Sequence, residues 1–349
     1  MTIASKYHYT TETRLAGVEF TTFSTVLRHR TTNQTVEQVK SSDTHLLLRA
    51  RQGFVRFADH QKGVKITLFA TRPERLQMLR DGLIDTLANA MPGMTESLRW
   101  TDTSETGTPP PNLHFATVCH VTPLGPAFLR IRVKADDLSS FQNDAIHFRF
   151  VLPPAGLQDV EWPYVGENGA TVWPQGDKAL HRPVYTTRWI DHDAGLMDFD
   201  VFLHDGGRVT DWAKAIRIGE TVAFMGPGGG GIPQTDKIIA LADETAFPAI
   251  ARIAESLPAH STGQLVLMAA GGIDCGYPIV VPDGVKLTWI DPEDRMALAE
   301  IAIAASAAEP DHYLWFAAEK AAAQQVREGY KTRGGNPQNA YIAGYWLSS

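Results

Sequence analysis

A chain of 349 residues has room for two or three domains at roughly 100–200 residues each. Its 39 acidic and 32 basic side chains leave a formal charge of -7. That balance offers no basic excess to neutralise phosphates and excludes a general nucleic-acid binder. The composition, 44% hydrophobic and 20% charged, is that of ordinary globular material. No apolar run approaches the roughly 20 residues that cross a bilayer. Met1 to Thr13 is polar and lacks the apolar core of a signal peptide, so a cytoplasmic protein without membrane insertion is expected. The two cysteines, Cys119 and Cys275, are too few for a disulfide framework or a four-cysteine cluster and read as small core residues. The histidines show neither H-x-x-x-H nor H-E-x-x-H spacing, and no metal-ligating set is expected.

The first 101 residues read as a small α+β domain. Thr44–Ala50, Phe54–Phe57 and Val64–Ala70 are strand-like, the last with clear alternation. Thr71 or Arg72 precedes a helix that opens on Pro73, and Leu76, Leu79, Leu83, Leu87 and Met91 form one apolar stripe up to Pro92-Gly93. Residues 102–112 are polar and end in three prolines, the composition of a linker without apolar anchors.

Residues 113–231 read as an antiparallel β-barrel, because short strands recur at close spacing. They include Phe115–Val121, Phe128–Val133 and His147–Leu152, with a Gly-, Pro- and Trp-rich loop over 154–181. Arg182-Pro183-Val184-Tyr185-Thr186-Thr187-Arg188 follows as a strand of β-branched residues around one tyrosine. Extended, it places Arg182, Val184, Thr186 and Arg188 on one face. Paired guanidiniums suit a diphosphate, the tyrosine offers a flat ring, and Thr186 offers a hydroxyl for a ring nitrogen. Asp198–His204 is the next strand. It leads through Asp205-Gly206-Gly207 into a short helix with Thr210 as the expected N-cap, a helix start that can hold an anion. Gly226–Gly231 satisfies G-x-G-x-x-G but leads into a strand, not a helix, and reads as a hinge between domains.

From 232 to 349 strands and helices alternate, as in an α/β domain with a mostly parallel sheet. The strands are Lys237–Leu241, Gln264–Ala269, Val285–Ile290, Tyr313–Ala317 and Ala340–Trp346; helices are expected over Ala246–Leu257, Ala297–Ala308 and from Lys320 to Tyr330. Ligands of such sheets bind beyond the carboxyl ends of the strands. The turns Asp243-Glu244-Thr245 and Ala318-Glu319-Lys320 lie there.

R-P-V-Y-T-T-R resembles the R-x-Y-T-x-R flavin motif of the siderophore-interacting proteins, which are FAD-containing ferric-siderophore reductases of the ferredoxin-reductase-like superfamily. His204 through Ala213 is similar to that family's next motif. Leu241–Ile250, Leu314–Glu319 and Gly344-Tyr345-Trp346 resemble its G-D-E-T-A-x-P-A, W-x-A-G-E and G-Y-W segments. Val64–Trp100 resembles, more weakly, a small domain of unknown function found ahead of such proteins. Ala242 and Ala318 stand where the family usually has glycine, and each adds a methyl where a dinucleotide would approach the backbone.

The resemblance implies a multi-domain chain: an N-terminal α+β domain (1–101), a linker (102–112), an FAD-binding six-stranded β-barrel (113–231) and an NAD(P)H-binding α/β domain (232–349). The implied activity is reduction of Fe(III) to Fe(II) in a ferric siderophore, with FAD and NADPH or NADH as cofactors. Tyr185 would pack on the flavin ring, Thr186 would bond near its N5, and Arg182 and Arg188 would face anionic groups. Gly207, Val209 and Thr210 would help hold the diphosphate, and His204 would sit by the flavin or adenine. Asp243, Glu244, Thr245 and Glu319 would lie on the nicotinamide side, with Trp346 at the flavin edge. Electron transfer requires no nucleophile, and no catalytic residue is named. Arg130, Arg132, Arg188 and Lys178 are candidates for a basic mouth, or else belong to a solvated outer face. Two alternatives remain open: a general flavin or ferredoxin-type reductase, and a non-catalytic flavin-fold siderophore-binding module.

Overall fold

The computed structural model describes residues 6–31, 36–102, 106–292 and 295–348. The chain divides into two compact units. One comprises Met1–His114 and Pro153–His181, the other Phe115–Leu152 and Arg182–Ser349.

The first unit contains β1 (Tyr9–Ala16), α1 (Phe20–Thr31), β2 (Glu37–Ser41), β3 (His45–Ala50), β4 (Gly53–His60), β5 (Gly63–Ala70) and α2 (Pro73–Ala90). Its antiparallel five-stranded sheet runs β1-β5-β4-β3-β2. Alternation in β5 turns Val64, Ile66, Leu68 and Ala70 into one buried core with the α2 stripe Leu76, Leu79, Leu83 and Leu87. Pro73 opens α2 with no side-chain cap before it; its fixed φ suits the first turn, where its missing N–H costs nothing.

The chain enters the second unit through β6 (Leu113–Leu124), β7 (Phe128–Ala135) and β8 (His147–Val151), then returns to the first as β9 (Tyr164–Val165) and β10 (Thr171–Val172). The expected barrel loop 154–181 is thus a structural part of the first unit. Asp81 of α2 accepts from the Thr171 amide at 2.8 Å and from its hydroxyl at 2.7 Å. Gln77 donates to the Gly169 carbonyl at 2.9 Å, and Trp100 to that of Asn168 at 2.8 Å. The expected linker is anchored as well. Asp102 pairs with buried Arg80 and accepts from Thr11, while Gly107 and Thr108 exchange backbone hydrogen bonds with Val165. Polar composition hid these anchors because they are hydrogen bonds. Residues 103–105 of that stretch lie outside the described residues.

The second unit resumes with β11 (Val184–Thr186), β12 (Trp189–Asp191), β13 (Leu196–Phe202), α3 (Arg208–Ala215) and β14 (Thr221–Gly228). The sheet has seven strands where six were expected, in the order β11-β8-β14-β6-β7-β13-β12. Its two edge strands, β11 and β12, are joined by Thr187 and Arg188 alone, so the sheet curls until its edges meet. The inside is filled by phenylalanines 148, 150, 199 and 224 and the aliphatics around them.

Next come β15 (Lys237–Asp243), α4 (Phe247–Glu255), β16 (Thr262–Met268), β17 (Val285–Ile290), α5 (Arg295–Ala308), β18 (Tyr313–Glu319), α6 (Lys320–Thr332) and β19 (Ala340–Trp346). The five strands are parallel, ordered β17-β16-β15-β18-β19. Near-continuous apolar runs such as Ile238–Ala242 are buried on both faces, as parallel strands require. One face shares a core with Phe128 and Ile146 of the curled sheet; Phe128 packs on Phe247 and Tyr277, with ring centroids 5.9 and 4.6 Å away.

Among the described residues, no helix is long and apolar enough to cross a membrane. Cys275 is buried, whereas Cys119 is only half-buried on β6.

Candidate functional site

The order β17-β16-β15-β18-β19 means that the chain leaves β15 in one direction and returns on its other side. The carboxyl ends of β15 and β18 therefore form a switch point, where an open parallel sheet leaves a crevice. Two adjoining cavities occupy it, of ≈ 290 and ≈ 370 Å³, sharing Phe202, His204, Thr245 and Trp346 in their walls. The first is also lined by Tyr185, Thr186, His147 and Tyr345; the second by Asp243, Glu244, Ala318 and Glu319.

Strand β11 supplies the wall of the first cavity. The Tyr185 ring is held by Phe148, Phe150 and Phe199 at centroid distances of 6.4, 6.2 and 5.8 Å. Burial pushes its phenol well above the ordinary value. Thr186 is buried and lies opposite His147 of β8 in the strand register, with its hydroxyl 3.2 Å from His147 Nδ1. Deeper in, Asp200 of β13 forms a bidentate pair with Arg130, both contacts 2.8 Å, and accepts from the buried Tyr277 phenol.

On the other side, Asp243 ends β15. Its carboxylate accepts from the Thr245 amide at 3.1 Å, the Thr245 hydroxyl at 2.5 Å and Trp346 Nε1 at 2.7 Å. Burial raises its pKa despite these bonds. The cap of this turn is therefore Asp243, and Thr245 is one of the groups it caps. Glu244 accepts from the Ala270 amide at 3.1 Å. Glu319 caps α6 by accepting from the amides of Ala321 and Ala322.

The stretch 182–188 departs from the single strand expected. Thr187 donates its N–H to Ile146 and Arg188 donates its N–H to Asp198, both at 2.8 Å. The backbone there switches from β8 to β13, and Arg188 no longer shares a face with Arg182. Arg188 is buried and paired with Glu255 of α4; it does not line either cavity. The cation beside Arg182 is Arg149, opposite Val184, which donates to the Arg182 carbonyl at 3.3 Å. Burial and then the charge of Arg149 lower the pKa of Arg182. The other candidates for a basic mouth all hold carboxylates: Arg130 on Asp200, Arg132 on Asp198 and Lys178 on Glu161.

The α3 helix begins after Gly207, not at Thr210. Thr210 is buried in the first turn, where its hydroxyl accepts from the His204 amide at 3.2 Å. Val209 is buried beneath it, and His204 is exposed at the cavity rim. A Cβ on Gly207 would stand 2.7 Å from the His204 ring. Of the two alanines, Ala242 points its methyl into the core shared with the curled sheet, whereas Ala318 lines the second cavity.

Sequence reasoning missed His147, Asp200, Tyr341 and Tyr345, which line the first cavity, and Arg149 and Tyr277, which partner Arg182 and Asp200 outside its walls. Tyr341, Ala343 and Tyr345 alternate on one face of β19, a signal that was present; the others become visible only with strand register. The expected hinge over Gly226–Gly231 is also corrected. A Cβ at Gly229 would lie 2.4 Å from His147 Cδ2, at Gly230 2.6 Å from Tyr341 Cε2, and at Gly231 2.7 Å from the Asn143 carbonyl oxygen. These glycines let the backbone pass close to the site's rings.

A family described as siderophore-interacting FAD-binding domain matches residues 117–231, and one described as siderophore-interacting protein matches residues 235–349. An NADPH-dependent ferric-chelate reductase of Escherichia coli (strain K12) is 26% identical over 239 residues, which are 66% of this chain and 91% of that protein. Two solved structures superpose with a TM-score of 0.58 at 24% identity. They are the siderophore-interacting protein SipS from Aeromonas hydrophila, covering 68% of this chain and 92% of that one, and a siderophore utilization protein from T. fusca, covering 68% and 93%.

Proposed function

We propose, for a chain that belongs to the siderophore-interacting protein family, the role of an NAD(P)H-dependent, FAD-containing ferric-siderophore reductase. One observation carries the proposal. The two adjoining cavities at the switch point have an aromatic ring and a hydroxyl on one side and a polar strand-end turn on the other. Flavin and nicotinamide need such neighbouring places to exchange a hydride.

The residues present fit FAD. Tyr185 offers a ring already fixed by three phenylalanines, and Thr186 a hydroxyl that both donates and accepts. Gly207 lets the backbone pass against the His204 ring and the Thr210 hydroxyl with no room for a Cβ, and Arg182 beside Arg149 places two cations by the same strand. When bound, FAD supplies the ability to take two electrons as a hydride and return them singly.

Tyr185 would pack on the flavin ring, and the Thr186 hydroxyl would bond near its N5. Outside the walls of the two cavities, Arg182 and Arg149 would balance the diphosphate, with Gly207, Val209 and Thr210 completing the cradle and His204 at its rim. The Arg182–Arg188 pair of the sequence reading becomes Arg182–Arg149, because Arg188 is engaged by Glu255. On the nicotinamide side, Thr245 spends its proton on Asp243, so its free lone pairs would accept from a carboxamide. Trp346, held by Asp243, would close the flavin edge. Glu319 occupies the α6 start and would keep dinucleotide phosphates away from it. The ferric siderophore is the substrate, and loss of affinity for Fe(II) releases the metal.

The non-catalytic alternative drew on both alanines. With the Ala242 methyl in the core, only Ala318 still favours it. The test is reduction of ferric catecholate and ferric hydroxamate complexes by the FAD-loaded protein with NADPH or NADH, with Fe(II) trapped by a chelator. Turnover that needs both FAD and nucleotide is expected. Bound FAD without Fe(II) formation from any complex would select the non-catalytic module.

A further inference from the structure

The first cavity carries a hydrogen-bond chain that electron transfer alone does not explain. Thr186 Oγ1 lies 3.2 Å from His147 Nδ1, and His147 Nε2 lies 3.1 Å from the Tyr345 hydroxyl. Tyr341 lines the same cavity two pleats away on β19 and acts on the Tyr345 hydroxyl. The chain begins at buried Thr186 and ends at half-exposed Tyr341. Every member can both donate and accept, so the chain can run in either direction. With the His147 proton on Nε2, Thr186 donates to Nδ1 and turns lone pairs to the cavity. With the proton on Nδ1, Thr186 receives it and turns its own proton to the cavity.

The packing keeps this chain in register. The His147 ring meets Tyr345 edge-on at a centroid distance of 5.6 Å, and Tyr341 stacks on Trp315, also at 5.6 Å. Gly229 presses on His147 and Gly230 on Tyr341, each with no space for a Cβ. The titratable groups around the ring are Tyr185 of β11, Asp200 of β13 with its Arg130 partner, His204 beyond β13, and Tyr341 and Tyr345 of β19. Asp243 of β15 acts on Tyr345.

The reaction leaves one proton to be moved. A hydride brings two electrons and one proton. Two Fe(III) ions take one electron each, so NAD(P)H and two Fe(III) give NAD(P)⁺, two Fe(II) and H⁺. If Thr186 meets the ring nitrogen that received the hydride, as the proposed function has it, that proton is released beside Thr186 in a buried place. We propose that His147 is the positioning residue that carries this proton away, through Thr186, to Tyr345 and Tyr341. Thr186 Oγ1 accepts the released proton and passes its own to His147 Nδ1. His147 gives its Nε2 proton to Tyr345, Tyr345 passes its own to Tyr341, and Tyr341 delivers one to water.

The test uses the full chain loaded with FAD, and compares the wild type with His147→Gln and Tyr345→Phe. Visible spectra and thermal midpoints first establish that each binds FAD. Stopped flow then separates bleaching by NADPH from colour recovery on adding a ferric hydroxamate. The expected result is a recovery-to-bleaching rate ratio lowered about tenfold or more in both variants, within the range that positioned proton transfer supplies. Recovery of the wild type should slow in D₂O, and the size of that slowing should change in both variants. Nitrogen-15 signals of His147, assigned by their loss in His147→Gln, should shift between Nδ1-protonated and Nε2-protonated positions when the wild type is reduced. Unaltered rate ratios in variants that bind FAD would overturn the proposal while leaving the reductase reading intact. Unaltered His147 nitrogen signals on reduction would do the same, even if Tyr345→Phe fails to fold. A wild-type protein that binds no FAD would remove both.

Discussion

In the proposed function Tyr185 joins packing to recognition, and two substitutions separate them. Tyr185→Ala removes a ring held by three phenylalanines and should cost about 3 kcal/mol in urea unfolding, together with the FAD. Tyr185→Phe keeps the ring and should change stability by less than about 1 kcal/mol while retaining the flavin. Asp200 is a second such residue. It neutralises Arg130 and accepts from Tyr277 at one buried point, so Asp200→Ala leaves a cation and a phenol without their acceptor. A loss of about 3 kcal/mol is expected, measured by chemical denaturation. Asp200→Ala behaving like a surface substitution would show that the network contributes little.

At the scale of elements, the five strands of the parallel sheet were readable because burial on both faces writes continuous apolar runs. The α2 helix was readable because its leucines recur at helical spacing. The break between β11 and β12 was not. Thr187 and Arg188 have strand-like chemistry, and only their backbone partners, Ile146 and Asp198, show that the chain changes neighbours there. The tyrosine and threonine of that motif do line the first cavity. The cation that accompanies Arg182 was not legible, because Arg149 lies on another strand. The glycine run after β14 was legible as glycine but not as packing. Gly229 has φ +69 and no space for a Cβ, so Gly229→Ala should cost about 1–3 kcal/mol. Gly82, inside α2 with nothing within 4 Å of a Cβ, should respond the opposite way, gaining up to about 1 kcal/mol as alanine. Paired urea titrations measure both.

At the scale of the whole molecule, the grouping of Pro153–His181 with the N-terminal residues was invisible in sequence. It depends on hydrogen bonds between Asp81, Gln77 and a loop some ninety residues away. Burial raises the Asp81 carboxyl pKa, against the bonds from Thr171 and Gln77 and the charge of Arg80. The folded state therefore binds this proton more readily than the unfolded chain. The stability of the wild type relative to Asp81→Asn should increase as pH falls from the raised folded value towards the unfolded one. Above the folded value the difference should be constant. Urea unfolding of both proteins across the acid range measures the slope, and a slope of opposite sign would contradict the assignment.

The most direct measurement is the anaerobic visible spectrum of the purified protein, taken before and after NADPH or NADH and again after a ferric siderophore. A flavin spectrum that bleaches with nucleotide and returns as Fe(II) appears in a chelator is the expected result. A colourless protein that cannot be loaded with FAD would contradict the assignment of Tyr185, Thr186 and Arg182, and with it the reductase function.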